Sequence, residues 1–120
     1  MARNEDGFTL VEMLAVMIVM AVLLAIAVGF STGARVRAAD ASAKSNIQVA
    51  VPAFEAYGMD NNGSYSGMTL PLLQSSYSKG VQGIEIVSAS AAGYCVKSTV
   101  DGRSWFKNGP TGPITTTSCA

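Results

Sequence analysis

Histidine is absent from all 120 residues, which removes the commonest general base and the commonest nitrogen ligand for a metal. Charge is scarce too: 13% of residues are Asp, Glu, Lys or Arg, eight acidic against eight basic. That balance gives no charge-driven case for a nucleic acid or an anionic membrane surface. There is no phosphate-binding loop. The acids Asp60, Glu85 and Asp101 are scattered, and without His no nucleophile–base pair can be assembled apart from Lys or carboxylate schemes, for which nothing speaks. An enzyme is not expected, nor is a cofactor or a bound metal. The single Trp, Trp105, reads as packing rather than as a substrate platform.

Cysteine is limited to Cys95 and Cys119. A small domain beyond a membrane segment lies outside the cytoplasm, where a bridge is expected over two reduced thiols. In the chain-entropy account such a bridge contributes roughly 3–4 kcal/mol.

What the chain has in abundance is apolar surface, unevenly placed. Met13–Phe30 is an unbroken run of eighteen residues without charge or a strongly polar side chain. As a helix it spans about 27 Å, close to the roughly 30 Å of a bilayer core. Residues 8 to about 58 read as one helix in two halves. The second half carries an apolar stripe at helical spacing: Val36, Ala39, Ala43, Ile47, Ala50, Val51, Phe54 and Tyr57, with Arg35, Arg37, Asp40, Lys44 and Gln48 mostly off it. Gly29 and Gly33 in "GFSTG" weaken the helix between the halves, and Pro52 should bend it.

Beyond the helix, "GMDNNGSYSG" (58–67) is dense in turn formers, and "LPLLQSSY" (70–77) suits a short helical turn with Leu70, Leu73 and Tyr77 on one side. Three strands follow: "GIEIVSASA", with Ile84, Ile86 or Val87 and Ala89 inward, then "GYCVKSTV", then "RSWFKN" after the hairpin signal Asp101-Gly102. The Gly- and Pro-rich tail is unsuited to a central strand and needs the tie that Cys119 supplies. The expected fold is α+β: a long N-terminal helix, apolar stem plus amphipathic half, packed by a small antiparallel sheet of about three strands.

Glu12 stands within a turn of the apolar run and bears on three readings of the stem. "AIA" at 25–27 has the small-x-small form of a secretory cleavage site, but the acids Glu5, Asp6 and Glu12 fit such a leader poorly. A plain membrane anchor explains the length and leaves Glu12 without a role. A subunit cut after Gly7 would begin at Phe8, and the new amine, one helical turn away, could pair with Glu12 within a chain or between staggered chains. A buried pair of that kind also specifies register.

Residues 7–30, "GFTLVEMLAVMIVMAVLLAIAVGF", resemble the class III signal of type IV pilins and of the pseudopilins of type II secretion and competence systems. Gly7, Phe8, Thr9, Leu10, Val11 and Glu12 all match. "IVSASAAGYCV", "SWF" and a near-terminal Cys resemble the strand pair and disulfide-closed C-terminal region of short type IVa-like major pilins. The resemblance implies a leader at 1–7, a membrane and filament-core helix at 8–33, and a head at 34–120. It implies cleavage between Gly7 and Phe8 by prepilin peptidase, N-methylation of Phe8, assembly through Glu12, loosening at Gly29 and Gly33, and a Cys95–Cys119 disulfide.

The implied life history starts as a single-pass inner-membrane protein and ends in a cell-surface filament of identical subunits. The implied partners are an assembly platform, a cytoplasmic ATPase and minor pilins. Adhesion, twitching and DNA uptake, with nucleic acid as partner, stay open. A pseudopilin is the alternative, although calcium-binding members use acids in the C-terminal region and none follows Asp101 here. Two departures stand out: the leader has one base, Arg3, against Arg35 and Arg37 beyond the stem, and Gly29 replaces the family's frequent Pro.

Overall fold

The computed structural model describes residues 7–119, so most of the expected leader, 1–6, lies outside the described residues. Helix α1 spans Leu10–Asp60, and the chain divides into two units, one ending at Val36 and one beginning at Arg37. The helix begins two residues after Phe8 because Thr9 serves as its cap. It continues through Gly29, Gly33 and Pro52.

In the first unit every described residue is exposed. The segment is rich in Leu, Met and Ala, good helix formers, and contains no Pro. A helix also satisfies its backbone internally, which matters where no water is available to do so. Near the end of this unit, Ser31 Oγ donates to the Val28 carbonyl at 2.9 Å and Thr32 Oγ1 donates to the same oxygen at 3.3 Å. Hydroxyls that bond back onto the previous turn compete with the ladder and tend to bend helices.

In the second unit α1 buries Ala39, Ala43, Ile47, Ala50, Ala53, Phe54, Tyr57 and Gly58. The expected stripe is recovered from Ala39 onward, while Val36 is exposed and Val51 half-buried. The helix outlasts the expected boundary at Gly58. Gly58 is a packing position, where an added Cβ would come within 3.0 Å of the Tyr65 ring. Termination falls to Asn61 and Asn62. Asn62 takes a left-handed φ of 56°, and the Gly63 N–H donates to the Gly58 carbonyl at 2.7 Å. This is a Schellman ending with Asn in the left-handed position.

Helix α2, Leu70–Ser76, is the short turn expected there. Thr69 Oγ1 caps it by accepting from the Leu72 N–H, Pro71 sits in its first turn, and Leu73 is fully buried. Four strands follow: β1 Glu85–Ala89, β2 Tyr94–Val100, β3 Arg103–Gly109 and β4 Ile114–Thr115. They form one antiparallel sheet in the order β1-β2-β3-β4. Asp101 and Gly102 both adopt positive φ, 49° and 75°, which gives the two-residue turn that matches strand twist. The fourth strand exceeds the expected three; at two residues on an edge, it suits a Gly- and Pro-rich tail. An irregularity between Ile86 and Ser88 turns Val87 outward, so Ile86 faces inward.

The core is small and aromatic at its centre. Phe54 packs tilted against Tyr94 with ring centres 4.8 Å apart, and Tyr94 meets Tyr65 edge-on at 4.9 Å. Alanine at 39, 43, 50 and 53 makes up half of the buried face of the helix. One polar line crosses this layer: Asn46 Nδ2 donates to Ser98 Oγ at 3.1 Å, and Ser98 donates to the Gly83 carbonyl at 2.7 Å. Ser98 is 1% exposed and keeps its own bond to Gly83, so a helix offset would cost the Asn46 bond, worth about 1 kcal/mol. Cys95 and Cys119 form a disulfide with Cα atoms 5.9 Å apart. The bridge draws the tail beyond β4 back to β2.

Phe54→Ala should destabilise the head by about 3–5 kcal/mol, whereas Val87→Ala should change stability by less than about 0.5 kcal/mol. Removing the bridge with Cys119→Ser should cost roughly 3–4 kcal/mol and open residues 110–119 to protease. Denaturant unfolding of the detergent-solubilised chain measures the stability differences, and limited proteolysis the tail.

Candidate functional site

Glu12 lies in the first turn of α1 and is exposed. Its backbone N–H donates to Thr9 Oγ1 at 3.2 Å, and its carboxylate Oε2 accepts from the Thr9 N–H at 3.2 Å. The ladder then begins with the Met13 N–H on the Thr9 carbonyl at 3.1 Å. This reciprocal exchange is a capping box, and the negative charge also complements the positive end of the helix dipole. The sequence signal for it is Thr9-x-x-Glu12 ahead of an apolar run. Gly7 and Phe8 precede the helix, Gly7 with open space around it and Phe8 82% exposed.

The surface that follows is apolar on all sides. Leu10 is 90% exposed and even Ile26, among the least exposed, remains at 51%. By length and composition this helix can cross a membrane. A shallow concavity of about 290 Å³ is lined by Ala25, Ile26, Gly29 and Phe30. Gly29 and Gly33 both have nothing within 4 Å of the place a Cβ would take. Gly29 thus leaves a notch on the stem.

The head unit carries a second cluster. Asp40 Oδ1 accepts from Arg103 Nε at 2.5 Å and from Trp105 Nε1 at 2.9 Å, and Lys44 Nζ lies 4.0 Å above the centre of the Trp105 ring. Trp105 is therefore held by edge and face between helix and sheet, a packing role. The Arg103 hydrogen bond, then that of Trp105, holds the Asp40 carboxyl below the usual carboxylate range. Burial, reinforced by Tyr65, pushes the Tyr94 hydroxyl up, and burial followed by Asp60 does the same for Tyr77. Of the remaining acids, Asp60 accepts from Tyr77 at 3.0 Å and Glu85 pairs with Lys97 at 2.9 Å. Among the described residues no three His, Cys, Asp or Glu side chains gather at metal-binding distance.

Because the Asp40 pKa is depressed on folding, its contribution is fully present above the ordinary carboxylate pKa and is lost as pH falls through the lowered value. Head stability should therefore fall on acidification through that window, and Asp40→Asn should flatten that part of the profile while lowering stability at neutral pH. Unfolding midpoints measured from neutral pH to strong acid check both outcomes.

Residues 2–28 match the family described as the prokaryotic N-terminal methylation motif. No solved structure matches the chain. Over 111 residues it is 35% identical to the type IV wide pilus major component PilA4 of Thermus thermophilus. The alignment covers 90% of this chain and 84% of that protein, so the likeness takes in the head as well as the stem. With the stem motif, the helix-and-sheet head and the relative in agreement, the chain belongs to the type IV pilins.

Proposed function

We propose that the chain is the structural subunit of a type IV pilus. Residues 1–7 are a leader removed by prepilin peptidase, which N-methylates the new N-terminal Phe8. Residues 8–33 form the membrane stem and filament core, and residues 34–120 form the head. The observation that carries this reading is an apolar helix uncovered on every side, with one acid held in its first turn.

Such a surface is stable in lipid or among its own kind. Burying about 300 Å² against each neighbour is worth several kcal/mol at about 25 cal/mol per Å². The notch at Gly29 offers a place for a neighbour's side chain, in the manner of a knob in a hole. The two hydroxyls that bond back to Val28 give the Gly29–Gly33 segment a means of loosening when the subunit leaves the bilayer. Head-to-tail contacts that do not close make an open filament.

Cleavage at Gly7 would place the Phe8 amine beside the Thr9 N–H that the Glu12 carboxylate already accepts. The acid is thus within the same turn as the charge it would neutralise, in its own chain or a neighbour's. Insertion is single-pass in the inner membrane before assembly. Extraction is driven from an assembly platform by a cytoplasmic ATPase, with minor pilins as partners. The wide-pilus relative favours pilin over pseudopilin.

Protein sheared from cells should begin at methylated Phe8 by intact mass and N-terminal sequencing. A start at Val28 would mean secretory cleavage, and a start at Met1 a plain anchor. Glu12→Ala should be processed normally yet lower fibre yield at least about a hundred-fold, the cost of leaving a buried charge unpaired.

A further inference from the structure

The charges along α1 in the head unit are Arg37, Asp40, Lys44, Glu55 and Asp60. Three are committed within the chain: Asp40 to Arg103 and Trp105, Lys44 to the Trp105 ring, and Asp60 to the Tyr77 hydroxyl. Arg37 and Glu55 make no hydrogen bond or ion pair among the described residues, and both are exposed. They are eighteen residues apart, five whole turns at 3.6 residues per turn, and so share one flank of the helix about 27 Å from each other. Ala41, Ser45, Gln48 and Pro52 lie exposed on and beside that flank, uncharged and short enough, apart from Gln48, for another helix to approach closely.

From this placement we infer that Arg37 of one subunit pairs with Glu55 of a second copy of this chain, displaced along the helix axis by about five turns, roughly 27 Å. The inference rests on the filament reading and specifies one of its contacts. Side-by-side copies without displacement would set Arg37 against Arg37 and Glu55 against Glu55, a repulsion that disfavours that arrangement. Displacement by five turns converts both clashes into attraction. The contact is heterologous, so each subunit uses Arg37 toward one neighbour and Glu55 toward another, and the series stays open. An antiparallel pair would also match the charges, but it would close after two copies and place the two stems in opposite directions.

The test uses the full chain in cells that export it as filaments. Glu55→Arg and Arg37→Glu should each lower filament yield by about five-fold, the upper end of what an exposed ion pair contributes. The double exchange R37E/E55R should restore yield. Folding of each variant is checked by the intact Cys95–Cys119 bridge and a protease-resistant head. Wild-type yield from Glu55→Arg, or single losses that the double exchange does not repair, overturns the pairing.

Arg37→Cys combined with Glu55→Cys, treated in sheared filaments with a short bis-maleimide, should give a ladder of covalent oligomers. Monomers alone overturn the contact, and dimers alone overturn it in favour of the antiparallel pair. If the wild-type chain makes no filament, the reading beneath the inference fails; monomers recovered from intact filaments remove this contact alone.

Discussion

A helix that is apolar around its whole circumference has no comfortable exposed state in water, and α1 from Met13 to Phe30 is such a helix. The hydrophobic penalty does not discriminate between lipid and protein as cover. The same surface can therefore be stored in a bilayer and later packed against copies of itself without any change of sequence or fold. What lipid cannot supply is position along the axis. Packing of smooth apolar rods is tolerant of sliding, so register must come from the few polar groups present. Glu12 stands in the first turn of the rod, and the head unit has exposed charges of its own at Arg37 and Glu55.

The head has to hold itself together without help from the stem, and it does so with modest means. Its fully buried large apolar side chains are Phe54, Ile47, Leu73, Val81 and Val96, each worth roughly 1.5–3 kcal/mol. A disulfide at roughly 3–4 kcal/mol thus rivals one or two of them. That comparison explains why the tail can be so poor in regular structure. Residues 110–119 form only a two-residue strand, and the bridge to β2 does what a longer strand would otherwise do. The alanines give the helix a buried face of small side chains, and the Asn46–Ser98–Gly83 line adds a polar contact that fixes where helix and sheet meet. Gly83 could not be replaced there: a Cβ would lie 2.5 Å from Asn46 Nδ2, at a φ of +69°.

Local signals in the sequence carried most of the fold. The 3.6-residue stripe located the buried face of α1 from Ala39 to Tyr57, and Asp101-Gly102 located the β2–β3 turn, because each depends on residues adjacent in the chain. Gly58 shows where such signals mislead: the same residue that favours a turn also makes room for a ring, and Tyr65 decided the matter. The Asp40–Trp105–Lys44 cluster joins residues more than sixty positions apart, and only the sheet topology brings them together. Asp40 and Lys44 looked like a solvated flank since nothing local marks a partner across such a distance. β4 was hidden for a related reason, as two residues carry no periodicity. The Thr9–Glu12 exchange is legible in the sequence, because both partners lie within one turn.

The cap that Glu12 makes is compatible with the pairing proposed for it. A carboxylate has two oxygens and about four acceptor sites, and the capping box occupies one of them on Oε2. Before any neighbour arrives, the box holds the side chain against the first turn instead of letting it sample many rotamers. An amine at Phe8 would then meet an acceptor already aimed at the helix terminus, so less conformational entropy is lost on pairing. The cap also lowers the cost of carrying the charge alone beside hydrocarbon, because one N–H and the helix dipole already oppose it. A neutral isostere such as Gln could keep part of the cap but could not answer a positive charge. Thr9 therefore belongs to the candidate site as much as Glu12 does: it orients the acid that the proposed pairing would use.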